Sequence, residues 1–207
     1  AHDTRMRINL GIRRRLAPMF DNDRRRLELA FSLLLTLPGT PMLQYGDEIG
    51  MGEDLSLPER ECARTPMQWS ADANGGSTTA RRPVRPLVSD PIYGYQRVNV
   101  EGQRRDPGSM LNWIERAIRM RRECPEISWG DWEILPTQAR EVLAMRYEWD
   151  DHVVVAVHNF SPQPRSVSLH RSKTGNPALV DLLGTEDSHV DESGWHRIQL
   201  EAHGYRW

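Results

Sequence analysis

The chain has only two cysteines, a single lysine and almost no excess charge. Cys62 and Cys124 lie far apart and form no C-x-x-C spacing, which argues against a disulfide framework or a cysteine metal site and predicts two free thiols. The formal net charge of -2 argues against an electrostatic nucleic-acid binder. No run approaches the roughly 20 apolar residues of a membrane helix, and the N-terminus lacks a secretory signal pattern. We therefore expect a cytoplasmic protein without a nucleic-acid or membrane partner.

The length of 207 residues allows one large domain or two small ones. A complete (β/α)8 barrel alone takes about 250 residues, so the chain cannot hold a whole barrel and a second domain. Its basic residues are almost all arginine, and the runs at residues 13–15 and 24–26 are expected to be solvated helix faces that form ion pairs.

The first half of the chain has the rhythm of a parallel barrel. A helix is predicted to begin at the capping residues 21–23 and to run through Leu37, where Pro-Gly stops it. A short buried strand is predicted next at residues 41–45, and this succession is typical of parallel α/β folds. Residues 50–107 have little periodicity, and so long an irregular segment is commonly functional.

The second half has a different character, with a predicted boundary near residues 125–130. A helix capped by Ser109 precedes the boundary, and short strands without helices follow it. Asp150 and Asp151 are predicted to form a hairpin turn between two of the strands. Such a succession predicts an antiparallel sandwich. The predicted strands are 132–135, 142–149, 152–160, 166–169, 178–182 and 196–200.

The part of the sequence that the requirements of folding explain least is the stretch Arg-Thr-Pro-Met-Gln-Trp at residues 64–69. Thr65 precedes a proline and therefore takes an extended or turn backbone. The tryptophan supplies a flat apolar face and the arginine a fixed fork of donors, which together suit a sugar. An isolated Arg-Trp pair more often anchors a loop, but here six consecutive residues form a pattern.

This stretch resembles the α-amylase superfamily, glycoside hydrolase family 13, in the branch that holds oligo-1,6-glucosidases, sucrose isomerases and trehalose synthases. Residues 6–18, Met-Arg-Ile-Asn-Leu-Gly-Ile-Arg-Arg-Arg-Leu-Ala-Pro, resemble the trehalose synthases of that branch. The resemblance extends over nearly the whole chain. Its other stretches are Leu-Pro-Gly-Thr-Pro at 37–41, Tyr-Gly-Asp-Glu-Ile-Gly-Met at 45–51, Asp-Pro-Ile-Tyr-Gly-Tyr-Gln at 90–96 and Val-Asn-Val-Glu at 98–101.

The resemblance implies a fold of class α/β plus all-β. It is the last segment of a (β/α)8 TIM barrel followed by an antiparallel β-sandwich C-terminal domain. Residues 1–126 then hold the final strand, its flanking helices and the long active-site loop at 50–107, and residues 127–207 form the sandwich.

For the complete protein the resemblance implies isomerisation of maltose to trehalose by retaining intramolecular glucosyl transfer. Retaining glycosidases use two carboxylates about 5–5.5 Å apart, and the family adds a third aspartate in an Asn-His-Asp motif. None of these motifs is in the chain. The resemblance therefore places all three carboxylates upstream of Ala1, and the chain alone is expected to be inactive.

The resemblance also bears on ligands and partners. No cofactor and no metal are expected in this chain, although the family often binds a structural calcium ion upstream. The expected small-molecule partner is a disaccharide, maltose or trehalose. A further partner is expected to be the missing N-terminal barrel portion or a second copy of the chain, because a partial barrel leaves apolar faces and a strand edge uncovered.

Two short motifs with acidic residues lie near positions that matter in the family. His2-Asp3 lacks the asparagine of the Asn-His-Asp motif and is not expected to be catalytic. Asp47-Glu48 follows the predicted strand, at the end where barrel active sites lie. Adjacent strand residues point in opposite directions, so we expect Glu48 to pair with an arginine and Asp47 to fix the loop.

Arg60 and Arg64 are the predicted substrate-binding residues, since the resemblance places arginines of this loop on the outer side of the pocket. A guanidinium can hold several sugar hydroxyls and pair with a carboxylate. A loop-stabilising salt bridge is the alternative for each of them. Gln68 and Trp69 are expected to support the loop. Glu-Arg-Glu-Cys-Ala at residues 59–63 departs from the family's usual Asp-Arg-Asp-Gly-Val, which puts the shape of the outer subsite in doubt.

Two other functions stay open. The first is a fragment of an oligo-1,6-glucosidase or α-glucosidase, which residues 13–18 disfavour. The second, from another class, is a non-catalytic carbohydrate-binding or structural module. Four tryptophans of the predicted sandwich make it conceivable, although such residues are more often core: Trp129, Trp132, Trp149 and Trp195.

Overall fold

The computed structural model describes residues 13–171 and 177–207. The His2-Asp3 pair and the beginning of the stretch at residues 6–18 lie outside the described residues. The described residues form two compact units. The first holds residues 13–27 and 42–114, and the second holds residues 28–41 and 115–207. The domain boundary at residue 126 stays a prediction.

The helices concentrate in the first 130 residues. No helix of the described residues is long and apolar enough to cross a membrane. The α-helices are α1 (Leu16–Met19), α2 (Arg24–Thr36), α3 (Val100–Arg105), α4 (Met110–Glu123) and α5 (Pro125–Trp129). Within residues 13–171 and 177–207, three short 3-10 helices lie at Asp47–Ile49, Glu59–Ala63 and Ala73–Gly76.

The beginnings of α2 and α4 confirm the predicted caps. Asp23 is the cap of α2, since its Oδ1 accepts from the backbone N–H groups of Arg25 and Arg26 at 3.0 and 3.2 Å. Ser109 caps α4 and accepts from the N–H of Asn112 at 3.2 Å. Helix α2 ends one residue before the predicted Leu37.

The predicted buried strand at residues 41–45 is wrong. This segment belongs to none of the sheets that the described residues form, and the side chain of Met42 is 85% exposed. A strand of a parallel barrel is defined by the strands that pair with it on both sides. Among the described residues no strand pairs with this segment, so its apolar sequence does not become part of a sheet.

The irregular segment predicted at residues 50–107 ends earlier than expected, because α3 begins at Val100. The side chain of Asn99 caps α3 and accepts from the N–H of Gly102 at 2.8 Å. Six residues with a central glycine are too few to show helical periodicity. The core beneath this segment consists of Ile49, Met51 and Val100, with Met67, Val98 and Leu111 packed against them.

The second unit contains the β-structure, and all its strand pairs are antiparallel. The strands are β1 (Asp131–Leu135), β2 (Val142–Trp149), β3 (His152–Asn159), β4 (Arg165–His170), β5 (Ala178–Leu179), β6 (Ser188–His189), β7 (Trp195–Leu200) and β8 (Tyr205–Arg206). One sheet has the order β1-β2-β3-β8, and the pairs β4-β7 and β5-β6 form the others. The inner faces of β2, β3, β4 and β7 enclose a core of Val142, Ala144, Val157, Val167, Leu169, Ile198 and Leu200.

The hairpin between β2 and β3 confirms the predicted turn. Asp150 and Asp151 both have positive φ, 45° and 65°. Two successive left-handed residues form the type of two-residue turn that matches the twist of a hairpin, and aspartate tolerates this conformation. The pairing of Trp149 with His152 closes the hairpin directly at the turn.

The expectation that the four tryptophans are core is wrong. Trp129, Trp132, Trp149 and Trp195 are 74%, 51%, 41% and 39% exposed. Their positions explain this, because one ends a short helix, one lies in the edge strand β1 and two lie beside turns. Sheet edges and turns leave a large side chain with too few neighbours to cover it.

Candidate functional site

The candidate site is the segment at residues 44–69, and its backbone is held by Arg15. The Arg15 side chain is fully buried. Its Nη1 donates to the carbonyl oxygen of Tyr45 and to Oδ1 of Asp47, and its Nη2 to the carbonyl oxygen of Ala63, all at 2.8 Å. One guanidinium therefore joins the end of the predicted barrel strand to the beginning of the Arg-Thr-Pro motif.

Arg13 holds the middle of the same segment and is only 2% exposed. Its Nε donates to the carbonyl oxygen of Glu59 at 3.1 Å, and its Nη2 to those of Leu55 and Leu57 at 3.4 and 3.2 Å. The expectation of a solvated face is therefore wrong for Arg13 and Arg15. Only the Arg14 side chain is partly exposed, at 22%, and it pairs with Glu53.

At residues 47 and 48, the predicted pairing with an arginine falls on Asp47 instead of Glu48. Asp47, and not Glu48, forms the ion pair with Arg15, and within the described residues Glu48 forms none. Burial raises the pKa of Asp47, and the nearby charge and hydrogen bond of Arg15 oppose that effect. Asp47 also helps fix the loop, as predicted, because it shares Arg15 with Ala63.

Cys62 fills the inner side of the 3-10 helix Glu59–Ala63 and is completely buried. Its thiol lies 2.9 Å from the carbonyl oxygen of Arg13 and 2.8 Å from that of Glu59, so it can donate to either. The unusual sequence at residues 59–63 therefore places a small buried donor where it contacts the backbone that Arg13 holds.

The motif at residues 64–69 is anchored by Gln68, which is fully buried. Its Nε2 donates to the carbonyl oxygen of Tyr93 at 3.0 Å and also to that of Val98. This confirms the prediction that Gln68 supports the loop. Trp69 differs, because its side chain is 50% exposed and its backbone alone takes part in hydrogen bonds to Gly75 and Glu101.

Arg60 lies within the 3-10 helix Glu59–Ala63 and Arg64 directly follows it, and both are exposed. Nη1 of Arg64 is 3.8 Å from Oε1 of Glu61, and the Arg64 side chain is 53% exposed. Glu61 has a closer partner in Arg85, at 2.6 Å. An exposed pair as long as that of Arg64 contributes little to stability, so its guanidinium is free to exchange partners. The substrate-binding role of Arg60 and Arg64 stays a prediction.

The acidic side chains of the segment are largely engaged in contacts with arginines. Asp47 forms an ion pair with Arg15. Glu53 forms an ion pair with Arg14 and accepts a hydrogen bond from the backbone N–H of Arg15. In the part of the chain that the structure describes, no three His, Cys, Asp or Glu side chains are grouped to hold a metal ion. The exposed groups of the segment include Arg60 and Arg64, the two predicted substrate-binding residues, and the indole of Trp69.

Sequence reasoning missed Arg13, Arg15 and Cys62 as the residues that hold the segment. The run of three arginines gives no local signal of burial, because the carbonyl groups that receive the guanidinium protons lie 30 to 48 residues further along the chain.

Comparison with known families identifies the first part of the chain. Residues 13–130, more than half of it, match the model of the α-amylase catalytic domain. The chain belongs to the α-amylase family. Residues 152–207 match the C-terminal domain of sucrose hydrolase-like proteins, so the α-amylase-family part is followed by a C-terminal β domain of a known type.

Individual relatives of this α-amylase-family chain are trehalose synthases. That of Pimelobacter sp. (strain R48) is 40% identical over 213 residues, which cover 100% of this chain and 37% of that protein. That of Thermus thermophilus is 40% identical over 210 residues, covering 99% of this chain and 22% of that protein. The chain thus spans between about a fifth and two fifths of the length of these relatives.

Solved structures confirm the predicted fold class. The α-amylase from H. orenii is 26% identical with a TM-score of 0.70, covering 94% of this chain and 37% of that one. The trehalulose synthase MutB has a TM-score of 0.72 over 95% of this chain and 42% of its own, at 22% identity. The chain therefore has the fold of the end of the family's barrel together with its C-terminal β domain.

Proposed function

We propose that the chain is the C-terminal part of an enzyme that isomerises maltose to trehalose by retaining intramolecular glucosyl transfer. The observation that carries this proposal is the identity of about 40% to two trehalose synthases over practically the whole chain. The resemblance of residues 13–18 to the same branch supports it further.

In the proposed reaction the bond-breaking groups belong to the upstream part of the protein. An aspartate there attacks the anomeric carbon of maltose, and an acid gives its proton to the departing glucose. The glucose turns inside the closed pocket. Its 1-hydroxyl then attacks the same carbon, releases the aspartate and returns a proton to the acid group. Attack by water instead yields two glucose molecules.

The proposed contribution of this chain is the rim that retains the released glucose. Arg13 and Arg15 fix the backbone at residues 55, 57, 59 and 63, which orients the 3-10 helix with Cys62 inward. Arg60 and Arg64 then point away from the buried side, where their forks can donate to several hydroxyl groups. A rigid backbone below flexible guanidinium groups suits a substrate that must turn without leaving.

We further propose where the enzyme acts and what this chain assembles with. The enzyme acts in the cytoplasm on maltose and trehalose. The first unit assembles with the upstream barrel portion or with a second copy of the chain. This chain contributes no cofactor site, and a structural calcium ion would be bound upstream.

Product analysis of the complete protein tests the proposal. We expect trehalose from maltose, with glucose as a minor product, and little turnover of isomaltose. Glucose as the sole product from both sugars would instead assign the protein to the oligo-1,6-glucosidases or α-glucosidases.

A sugar-binding role of the second unit without catalysis is favoured by one observation, the exposure of its four tryptophans. Exposed indole faces are suited to stacking on sugar rings. Titration of the chain with maltose, followed by tryptophan fluorescence, tests this role. A saturable change that disappears in Trp132→Ala supports it, and the absence of any change identifies the unit as a scaffold.

A further inference from the structure

Two arginines of the first unit share one carboxylate, that of Glu61. Oε2 of Glu61 lies 2.6 Å from Nη1 of Arg85, and Oε1 of Glu61 lies 3.8 Å from Nη1 of Arg64. Coulomb attraction falls with distance, so Arg85 attracts this charge more strongly than Arg64 does. Among the described residues, neither arginine has another carboxylate within ion-pair distance. The distribution of one negative charge between two guanidinium groups therefore sets how free each of them is.

The local backbone brings Glu61 and Arg64 together. Glu61 lies in the 3-10 helix Glu59–Ala63, and the N–H of Arg64 donates to the carbonyl oxygen of Glu61 at 3.0 Å, which closes the last turn. Side chains three residues apart eclipse each other in a 3-10 helix, so the carboxylate and the guanidinium start from the same side. A carboxylate and a guanidinium so placed can close into a pair with two parallel hydrogen bonds. The closed pair would occupy donors of Arg64 that a sugar needs.

Arg85 is held where it competes for that carboxylate. It lies between Pro83 and Pro86 in the irregular part of the segment at residues 50–107. A proline fixes its own φ and restricts the residue before it, so few backbone conformations are open to Arg85. Less conformational entropy is therefore lost when Arg85 pairs with Glu61.

We propose that Arg85 is a positioning residue of the maltose site, which holds the carboxylate of Glu61 and thereby leaves the guanidinium of Arg64 free to bind the sugar. The proposal rests on the substrate-binding role proposed above for Arg64. It explains why Arg64, with a carboxylate three residues before it, remains 53% exposed and only loosely paired. Without Arg85, Glu61 captures Arg64, and the rim loses donors for the released glucose.

The test is made in the complete protein with maltose as the substrate. We expect Arg85→Ala to lower kcat/KM about threefold and to raise the share of glucose among the products, because an exposed ion pair shifts an equilibrium by about fivefold at most. The double variant Arg85→Ala, Glu61→Gln should recover both values, because a neutral amide does not capture Arg64.

Arg82→Ala is the matched control. Arg82 lies in the same loop, is exposed, also precedes a proline and forms no ion pair with the described residues. Its substitution should leave both kcat/KM and the product ratio unchanged. The unfolding midpoint in urea should stay the same in all these variants, since the side chains are exposed or partly exposed.

The recovery by Glu61→Gln separates positioning from a structural role. If Arg85 only fastened its loop to the 3-10 helix, Glu61→Gln would break the same contact and restore nothing. In an Arg64→Ala background, Arg85→Ala should have no further effect. The proposal is overturned if the double variant stays impaired, if Arg85→Ala acts equally with and without Arg64, or if Arg85→Ala has no effect although Arg64→Ala does. Unchanged kinetics and products in Arg64→Ala would instead overturn the role of Arg64 on which the proposal rests.

Discussion

Arg15 donates from Nη1 to Oδ1 of Asp47 at 2.8 Å, and the Arg15 side chain that makes this contact is fully buried. Removing one partner of a buried ion pair leaves the other charge uncompensated, which typically costs about 3–5 kcal/mol. We therefore predict that Arg15→Met lowers the free energy of unfolding, measured in urea, by about 3 kcal/mol, since Asp47 remains partly exposed.

A matched control for Arg15→Met is Arg105→Ala. Arg105 forms an exposed pair with Glu101 on α3 and is 77% exposed, so its loss changes the free energy of unfolding by less than about 0.5 kcal/mol. Equal effects of the two substitutions would show that the buried network does not hold the loop.

The stability of the second unit is predicted to depend on pH through His158. This side chain is buried, and its Nε2 lies 3.0 Å from Oγ of Ser32, which in turn accepts from Nε1 of Trp207 at 2.8 Å. The Ser32 hydroxyl oxygen already accepts from the indole N–H, so the Ser32 hydroxyl can donate its own proton to Nε2 of a neutral His158. Burial lowers the pKa of His158 from 6.5 to about 4, although the contact with Ser32 opposes this effect.

The direction of this pH dependence follows from the number of protons that the folded and the unfolded chain bind. Between pH 6.5 and 4 the unfolded chain binds a proton at His158 that the folded chain does not. The stabilisation is complete above pH 6.5 and is lost as the pH falls towards 4. Urea unfolding at pH 7.5 and pH 5 should differ by about 2 kcal/mol from this group. His158→Gln should remove that part of the pH dependence, and an unchanged dependence would contradict the assignment.

Both cysteines are predicted to resist modification in the folded chain. Cys62 and Cys124 are buried free thiols, and the pKa of Cys124 is raised to about 11, so little reactive thiolate forms. An aromatic disulfide reagent at pH 8 should label neither cysteine in buffer and both in urea. Rapid labelling in buffer would show that the segment at residues 59–63 or the end of α4 opens readily.

Arg60 and Arg64 are predicted to affect catalysis without affecting stability. In the complete protein, Arg60→Ala or Arg64→Ala should lower kcat/KM for maltose roughly tenfold, which corresponds to about 1.4 kcal/mol, and raise the share of glucose among the products. Both side chains are exposed, so the unfolding midpoint should not change. Arg105→Ala is again the control. Unchanged product ratios in both variants would leave these arginines as loop residues only.

The sequence predicted best those elements whose signals are local. The strand β2 matches the prediction at both ends and β3 ends one residue earlier than predicted, because alternation and an Asp-Asp turn set them without reference to the rest of the chain. The two-residue strands β6 and β8 are too short to show alternation, and they were missed.

The sequence predicted poorly what depends on distant partners. The segment at residues 41–45 has the composition of a buried strand, but a strand also needs neighbours that pair with it. Arg13 and Arg15 are buried because backbone carbonyl groups far along the chain surround them, and nothing in their own sequence indicates it. Within the candidate site, the motif and the supporting role of Gln68 were predicted, whereas the two arginines that hold the loop were not.

The central claim is that this chain carries the rim of a maltose-isomerising site and not its catalytic carboxylates. The most direct measurement is an NMR time course of maltose with the 207-residue chain alone and with the complete protein. We predict no turnover by the chain alone and accumulation of trehalose with the complete protein. Turnover of maltose by the chain alone, or glucose as the sole product of the complete protein, would contradict the claim.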